Sequence, residues 1–288
     1  MADLTNENFG SSFERVLAGL MAVLSGAILI FLAVKGPLVQ GVIRYKTAQT
    51  GITQIQGQDI INLALLGPVL LLGGTLLLFK KSIAKYLLML TPLYLIYFVL
   101  SYTIGLEWSS AVYTGNSEKY SFYFLFILVS GLVLLLYSLS VFPKGKKAEF
   151  KRTGLTVYSV LVVLFTFLFA AMWLKEVWEV MTKGTTRGYS EIPTGFWVIR
   201  YFDLGFTIPL SLISVYLLWT RPERSYSIQL LFYGFFITMV SAVSAMGWLM
   251  YFKKDPLFLM RDMVVFGSLA LIVFAGFAYI LKNYKEKA

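Results

Sequence analysis

The chain has 288 residues, of which 58% are hydrophobic, 17% aromatic and only 14% charged, with no cysteine, no histidine and a formal net charge of +10. A soluble surface needs roughly a quarter of its residues charged, so this composition excludes an ordinary soluble domain and makes the bilayer the solvent. Without Cys or His there are no disulfides, thiol nucleophiles or Fe–S ligands, and no zinc or haem sites that depend on imidazole.

From the N-terminus, MADLTNENFGSSFER is polar and acidic, lacks the basic start of a secretory signal and has no small-residue cleavage site, so the first apolar run is expected to stay in the protein. A helix crossing a hydrocarbon core of about 30 Å takes about 20 apolar residues. Stretches between successive charges meet that length at 16–34, 60–79, 86–106, 120–143, 153–174, 201–220, 225–252 and 263–281, and only the sixth contains an ionisable residue, Asp203. The reading is one all-α integral membrane domain of eight spans, with lipid as its main surroundings and no soluble domain. Lys and Arg concentrate on alternate sides, most of all in PKGKKAEFKR between spans four and five. By the positive-inside rule this places both termini in the cytoplasm of a multi-pass cell-membrane protein, and it accounts for the positive charge without a nucleic-acid partner.

The long segments 35–59 and 175–200 then fall outside, while spans two and three and spans six and seven form tight hairpins. Ala18, Ala22 and Gly26 in span one, and Gly234, Thr238 and Ala242 in span seven, are small residues at helical spacing, expected as packing seams or as contacts to another copy. Gly36-Pro37 and Gly67-Pro68 read as single helix breaks. Glu107 with Trp108, and Trp173 with Trp178, read as interfacial anchors, Arg261-Asp262 as an interfacial pair, and Lys175, Glu176 and Glu179 as a surface cluster.

Asp203 is the informative residue, because a carboxylate within a span is costly unless it is paired or protonated. Arg200, Asp203, Thr207, Ser211 and Ser214 step by three or four residues and form one polar stripe on an otherwise apolar helix, with Arg200 placed to pair with Asp203. The stripe serves either as a polar path for ions or protons, or as a hydrogen-bonded network that fixes helix register. No metal-ligand cluster, phosphate loop or nucleotide fingerprint accompanies it, so an enzyme is the weaker reading.

The run Arg200-Tyr201-Phe202-Asp203-Leu204-Gly205-Phe206-Thr207-Ile208-Pro209-Leu210 resembles the third-helix signature of microbial rhodopsins, and the basic loop 144–152 and outer loop 175–199 follow the same order. The resemblance covers about residues 118–282 and implies rhodopsin-like packing of the last five spans, with Arg200 and Asp203 in the counterion positions, Thr207 as a hydrogen-bond partner and Pro209 as a helix bend. It departs where Leu204 replaces the usual tryptophan and Ser214 the second carboxylate of proton pumps. No later span carries an intramembrane lysine for covalent retinal, Lys35 at the end of span one being the nearest. Three functions stay open. The first is a non-photochemical opsin-like protein that moves ions or protons, or binds a carotenoid, quinone or lipid, around Asp203. The second is a cofactor-free subunit of a larger membrane complex, and the third a membrane enzyme acting on lipid or isoprenoid.

Overall fold

The computed structural model describes residues 9–106, 111–141 and 146–286. The reading of Glu107 and Trp108, of the first eight residues, and of Lys144 and Lys287 falls outside them. Eight helices are long and apolar enough to cross a membrane: α1 Ser12–Lys35, α2 Gln49–Leu78, α3 Ile83–Gly105, α4 Ser117–Val141, α5 Arg152–Lys183, α6 Pro193–Thr220, α7 Pro222–Phe252 and α8 Met260–Asn283. The chain is an all-α polytopic bundle. Its only sheet among the described residues pairs β1 Lys146–Ala148 antiparallel with β2 Tyr284–Glu286, Lys147 opposite Lys285. That sheet marks one end of the bundle, where α1 begins and α8 ends. The opposite end carries the longer connections and is called the loop end below.

Three helices run further than the charge-free intervals predict. α2 starts at Gln49, so the connection after α1 is shorter than 35–59, and Asp59 lies inside a helix, buried at 3% exposure. A rule that stops a span at the first charge fails here because the carboxylate is taken into the core. α5 continues to Lys183, its last turns supported by the Lys175–Glu179 pair at i,i+4, and α6 begins at Pro193, with proline at a first-turn position where its missing N–H costs nothing. The outer segment 175–200 therefore shrinks to 184–192.

Neither Gly67-Pro68 nor Ile208-Pro209 breaks its helix. Each proline is preceded by one wide π turn, Asn62–Leu66 and Asp203–Thr207. Proline cannot donate to the carbonyl four residues back, and the wider turn absorbs the lost bond and lets the helix continue. A third π turn, Ser101–Gly105, ends α3.

The four N-terminal helices close into a ring, α1 on α2 and α4, and α3 on α2 and α4. The predicted seam on α1 packs inside the chain: Ala18 and Ala22 are fully buried, and a side chain at Gly74 would stand 2.7 Å from the Gly19 carbonyl, so the α1–α2 backbones touch. α7 joins this ring to the rest. Gly57 of α2 lies directly against the Met246 backbone, and Gly234 would place a side chain 2.7 Å from Leu90 Cα of α3. The C-terminal helices are cinched at the sheet end by aromatics. Tyr158 and Tyr233 share a 2.6 Å hydrogen bond, Tyr158 stacks on Tyr279 at 5.2 Å, and Tyr284 donates to the Pro222 carbonyl at 2.6 Å. Towards the loop end α5 and α8 both line a cavity.

Candidate functional site

This cavity of about 320 Å³ lies in the loop-end half of the bundle, lined by α5, α6, α7 and α8 and by residues of α2 and α3. Most of the wall is apolar and aromatic or sulfur-bearing, including Phe169, Phe235, Met239, Met246 and Phe266. Polar groups gather on one side, where α3, α5 and α6 meet. A volume of this size with apolar walls and a few convergent polar groups has the anatomy of a small-molecule site.

Arg200 sits about two turns into α6, with its guanidinium over the Trp173 ring at 4.3 Å and the Phe196 ring at 4.0 Å, and donates from Nη2 to Glu176 Oε2 of α5. The expected Arg200–Asp203 pair is replaced by this one. α5, longer than predicted, brings Glu176 alongside Arg200. The guanidinium is held on two aromatic faces while its charge is matched by a carboxylate, an arrangement that arginine's planar shape permits and lysine's does not. Glu176, read as surface, is thus part of the site, and so is Trp173, read as an interfacial anchor. Trp178 is 66% exposed and faces outward.

Asp203 is buried, at 8% exposure, and accepts from Thr207 Oγ1 at 3.2 Å, one turn on. Its carboxylate has no basic partner at ion-pair distance among the described residues. The rest of the stripe is buried as well but pairs off locally: Ser211 shares a 2.7 Å hydrogen bond with Thr166 of α5, Ser214 donates to the Ser211 carbonyl at 2.8 Å, and Gln229 of α7 donates to the Ser214 carbonyl at 2.8 Å. These are separate links between α5, α6 and α7, interrupted between Thr207 and Ser211. They fix helix register and do not form a continuous hydroxyl wire. A second space of about 30 Å³ borders Thr166 and Ser211 on the sheet side.

Arg200 Nε is buried in this wall with no hydrogen-bond partner, whereas Trp173 bonds the Asp203 carboxylate and Ser101 the Tyr97 hydroxyl. An unpaired buried donor costs about 1–3 kcal/mol, so Arg200 Nε requires an explanation beyond helix packing. Ser101 could not be singled out from sequence, because a lone serine near a span's end carries no periodic signal; it enters the site through the π turn at 101–105. At the mouth, Arg187 pairs with Asp262 at 2.5 Å, and Arg261 contacts the same carboxylate at 3.3 Å, as its place at the start of α8 suggested. Lys35 ends α1 and is not part of the cavity wall.

Asp203 is also not the sole deeply placed ionisable group. Asp59 is more completely buried, within a polar cluster of α2 and α3: Gln58 Nε2 donates to Tyr94 Oη at 3.1 Å, Tyr94 Oη donates to Asn62 Oδ1 at 2.8 Å, and the Asn62 side chain bonds Asp59.

Compared with protein families, with curated proteins and with solved structures, the chain matches none.

Proposed function

We propose that this membrane-embedded helical protein binds an apolar small molecule with one hydrogen-bond-accepting end, such as the carbonyl of a quinone, in the cavity between α5, α6, α7 and α8. One observation carries the reading: the 320 Å³ space has mostly apolar and aromatic walls and, where α3, α5 and α6 meet, the Arg200–Glu176 pair, Asp203 and the unpaired Arg200 Nε. The aromatic and methionine side chains supply the surface an apolar ring system buries, and methionine adapts to irregular shape. With Arg200 already matched by Glu176 there is no surplus positive charge, which favours an uncharged acceptor over an anion. The likeness of 200–210 to microbial rhodopsins is, on this reading, a local one: an arginine and an aspartate set in the wall of a cavity for an apolar ligand.

The basic residues Lys80, Lys81, Lys146, Lys147, Lys151, Arg152 and Lys285 lie at the sheet end, which supports a cytoplasmic placement of that end and an outward-facing cavity.

Titrating the detergent-purified chain with a short-tailed quinone, followed by tryptophan quenching, tests the proposal. Saturable binding is expected, and Ser101→Ala combined with Arg200→Lys, which keeps the charge but removes the Nε donor, should weaken it about tenfold. Quenching that rises linearly without saturation, or saturation unaffected by the double variant, would contradict the assignment.

A further inference from the structure

The end of α1 and the buried Asp59 bring unserved oxygens together around Gly36. In an α-helix the Ala33 carbonyl would receive the N–H of residue 37, but α1 ends at Gly36, whose backbone is extended, and residue 37 is a proline with no N–H. The neighbouring carbonyls are served: Leu32 by Gly36 N–H at 2.7 Å, Val34 by Gln40 at 3.1 Å and Lys35 by Ile43 at 2.9 Å. Asp59 Oδ2 is sealed from water and makes no hydrogen bond. The two meet at Gly36, where a side chain would stand 2.8 Å from Asp59 Oδ2, 2.9 Å from the Leu32 carbonyl and 3.4 Å from the Ala33 carbonyl.

A charged carboxylate in this position is opposed twice. It would face bare acceptors, and it would lie at the negative end of the α1 dipole. The groups around it offer little relief. From α2 comes the Asn62 amide, from α3 the tyrosines Tyr94 and Tyr102, and Tyr45 of the α1–α2 connection packs edge-on against Tyr102 at 5.5 Å. Lys253 at the end of α7 is engaged by Gln56, and among the described residues no lysine or arginine, Lys35 included, pairs with Asp59. Among the described residues there is no water-sized space beside Oδ2 for an ion, and no group of three acidic ligands for a divalent metal.

We infer that Asp59 is a proton-binding site that fastens α2 to the open end of α1, its Oδ2–H donating to the Ala33 carbonyl. The proton satisfies both orphan oxygens at once and takes up no volume. Its release to water at the loop end leaves an anion against the helix terminus, and α1 and α2 must separate there to hydrate it. The Asn62–Tyr94–Gln58 chain carries that change to the large cavity, where Gln58 is part of the wall. The inference does not depend on what the cavity binds.

Thermal unfolding of the full chain between pH 6 and pH 9 tests it. The folded state favours the protonated acid more than the unfolded chain does, so stability is lost as pH rises. The wild-type melting temperature should fall across this range more steeply than that of Asp59→Asn, whose amide keeps a donor for the Ala33 carbonyl without titrating. Asp59→Leu provides an independent variant: it removes the titrating acid with a side chain of similar shape and should flatten the same slope, so the test survives if Asp59→Asn fails to fold. The infrared carboxylic-acid band of the wild type at pH 7 should lose intensity in Asp59→Asn. Equal pH slopes in wild type and both variants, with an unchanged infrared band, would overturn the inference. So would a melting temperature that rises with sodium chloride over choline chloride in the wild type alone, since the occupant would then be sodium.

Discussion

The two halves of the bundle solve the same problem differently. α1 to α4 close on themselves, with 61% of the most apolar stretch of α3 buried inside the chain, whereas the figure is 22% for α5 and for α8. The first half achieves contact with glycine and alanine at the crossings, Gly19 against Gly74 and Gly57 against Met246, so that backbones meet and little volume is left. The second half is tied at the sheet end by tyrosines and opens towards the loop end, where bulky Phe, Trp and Met side chains surround space without filling it. Tight packing suits the first half as a scaffold; incomplete packing leaves in the second half the cavity proposed as a ligand site. α7 belongs to both, which is how the scaffold holds the open half in place.

The contrast is broken most severely at its hinge. Gly57→Leu drives a side chain into the Met246 backbone, and a loss of about 3 kcal/mol or more is expected, read as a collapse of the monodisperse detergent-purified fraction. The same change at Gly267 of α8, where a side chain meets nothing within 4 Å, should leave thermal stability close to wild type. Equal damage at both positions would remove the distinction between the halves. Next in size, Glu176→Gln leaves Arg200 partly buried without its counter-charge. Because both side chains keep some exposure, 12% for Arg200 and 18% for Glu176, the expected cost is about 2 kcal/mol, less than for a fully buried pair. Chemical denaturation measured with and without a bound quinone checks whether the pair serves the ligand as well as the fold.

Smaller effects sharpen the account of the polar stripe. Ser211→Ala breaks only its link to Thr166 and should cost about 1 kcal/mol without altering ligand affinity, which a parallel melting and binding measurement would show. The smallest effect is expected at the sheet. There Lys285 and Lys147 bond the Glu149 carboxylate and hold it below its ordinary range, so its contribution is present at neutral pH and is lost as pH falls through the acid range. Because the group lies on the surface, Glu149→Gln should move the melting temperature barely at all at pH 7, and any difference from wild type should vanish at strongly acid pH. Tyr284 in the same corner is pushed up to about 12 by burial, so its hydroxyl stays protonated throughout that range.

How much of this was legible in the sequence follows from the physics of each feature. The eight spans were, because hydrocarbon excludes charge over about 20 residues. Their ends were not wherever a charge is buried or a helix outruns the membrane: Asp59 cut α2 short on paper, and α5 runs on past Leu174 to Lys183. The stripe from Asp203 to Ser214 was read from helical spacing and is buried along its length, with Thr207 bonded to Asp203. The partner of Arg200 was not legible, because Glu176 is remote in sequence and lies on a stretch of α5 that outruns the charge-free interval. Asp59 was hidden by the same rule that exposed Asp203: lying at the edge of a charge-free interval, it looked like a boundary. Its meaning depends on the end of α1, whose carbonyls come near it only once α1 and α2 are packed together.

The most direct measurement is native mass spectrometry of the chain released from gentle detergent. If the open half is a ligand site, the wild type should retain a small apolar molecule in near-stoichiometric amount, and Leu269→Trp, which fills the cavity from α8, should lose it while keeping its melting temperature. A wild-type mass with no adduct, or an adduct retained equally by the filled variant, would contradict the account.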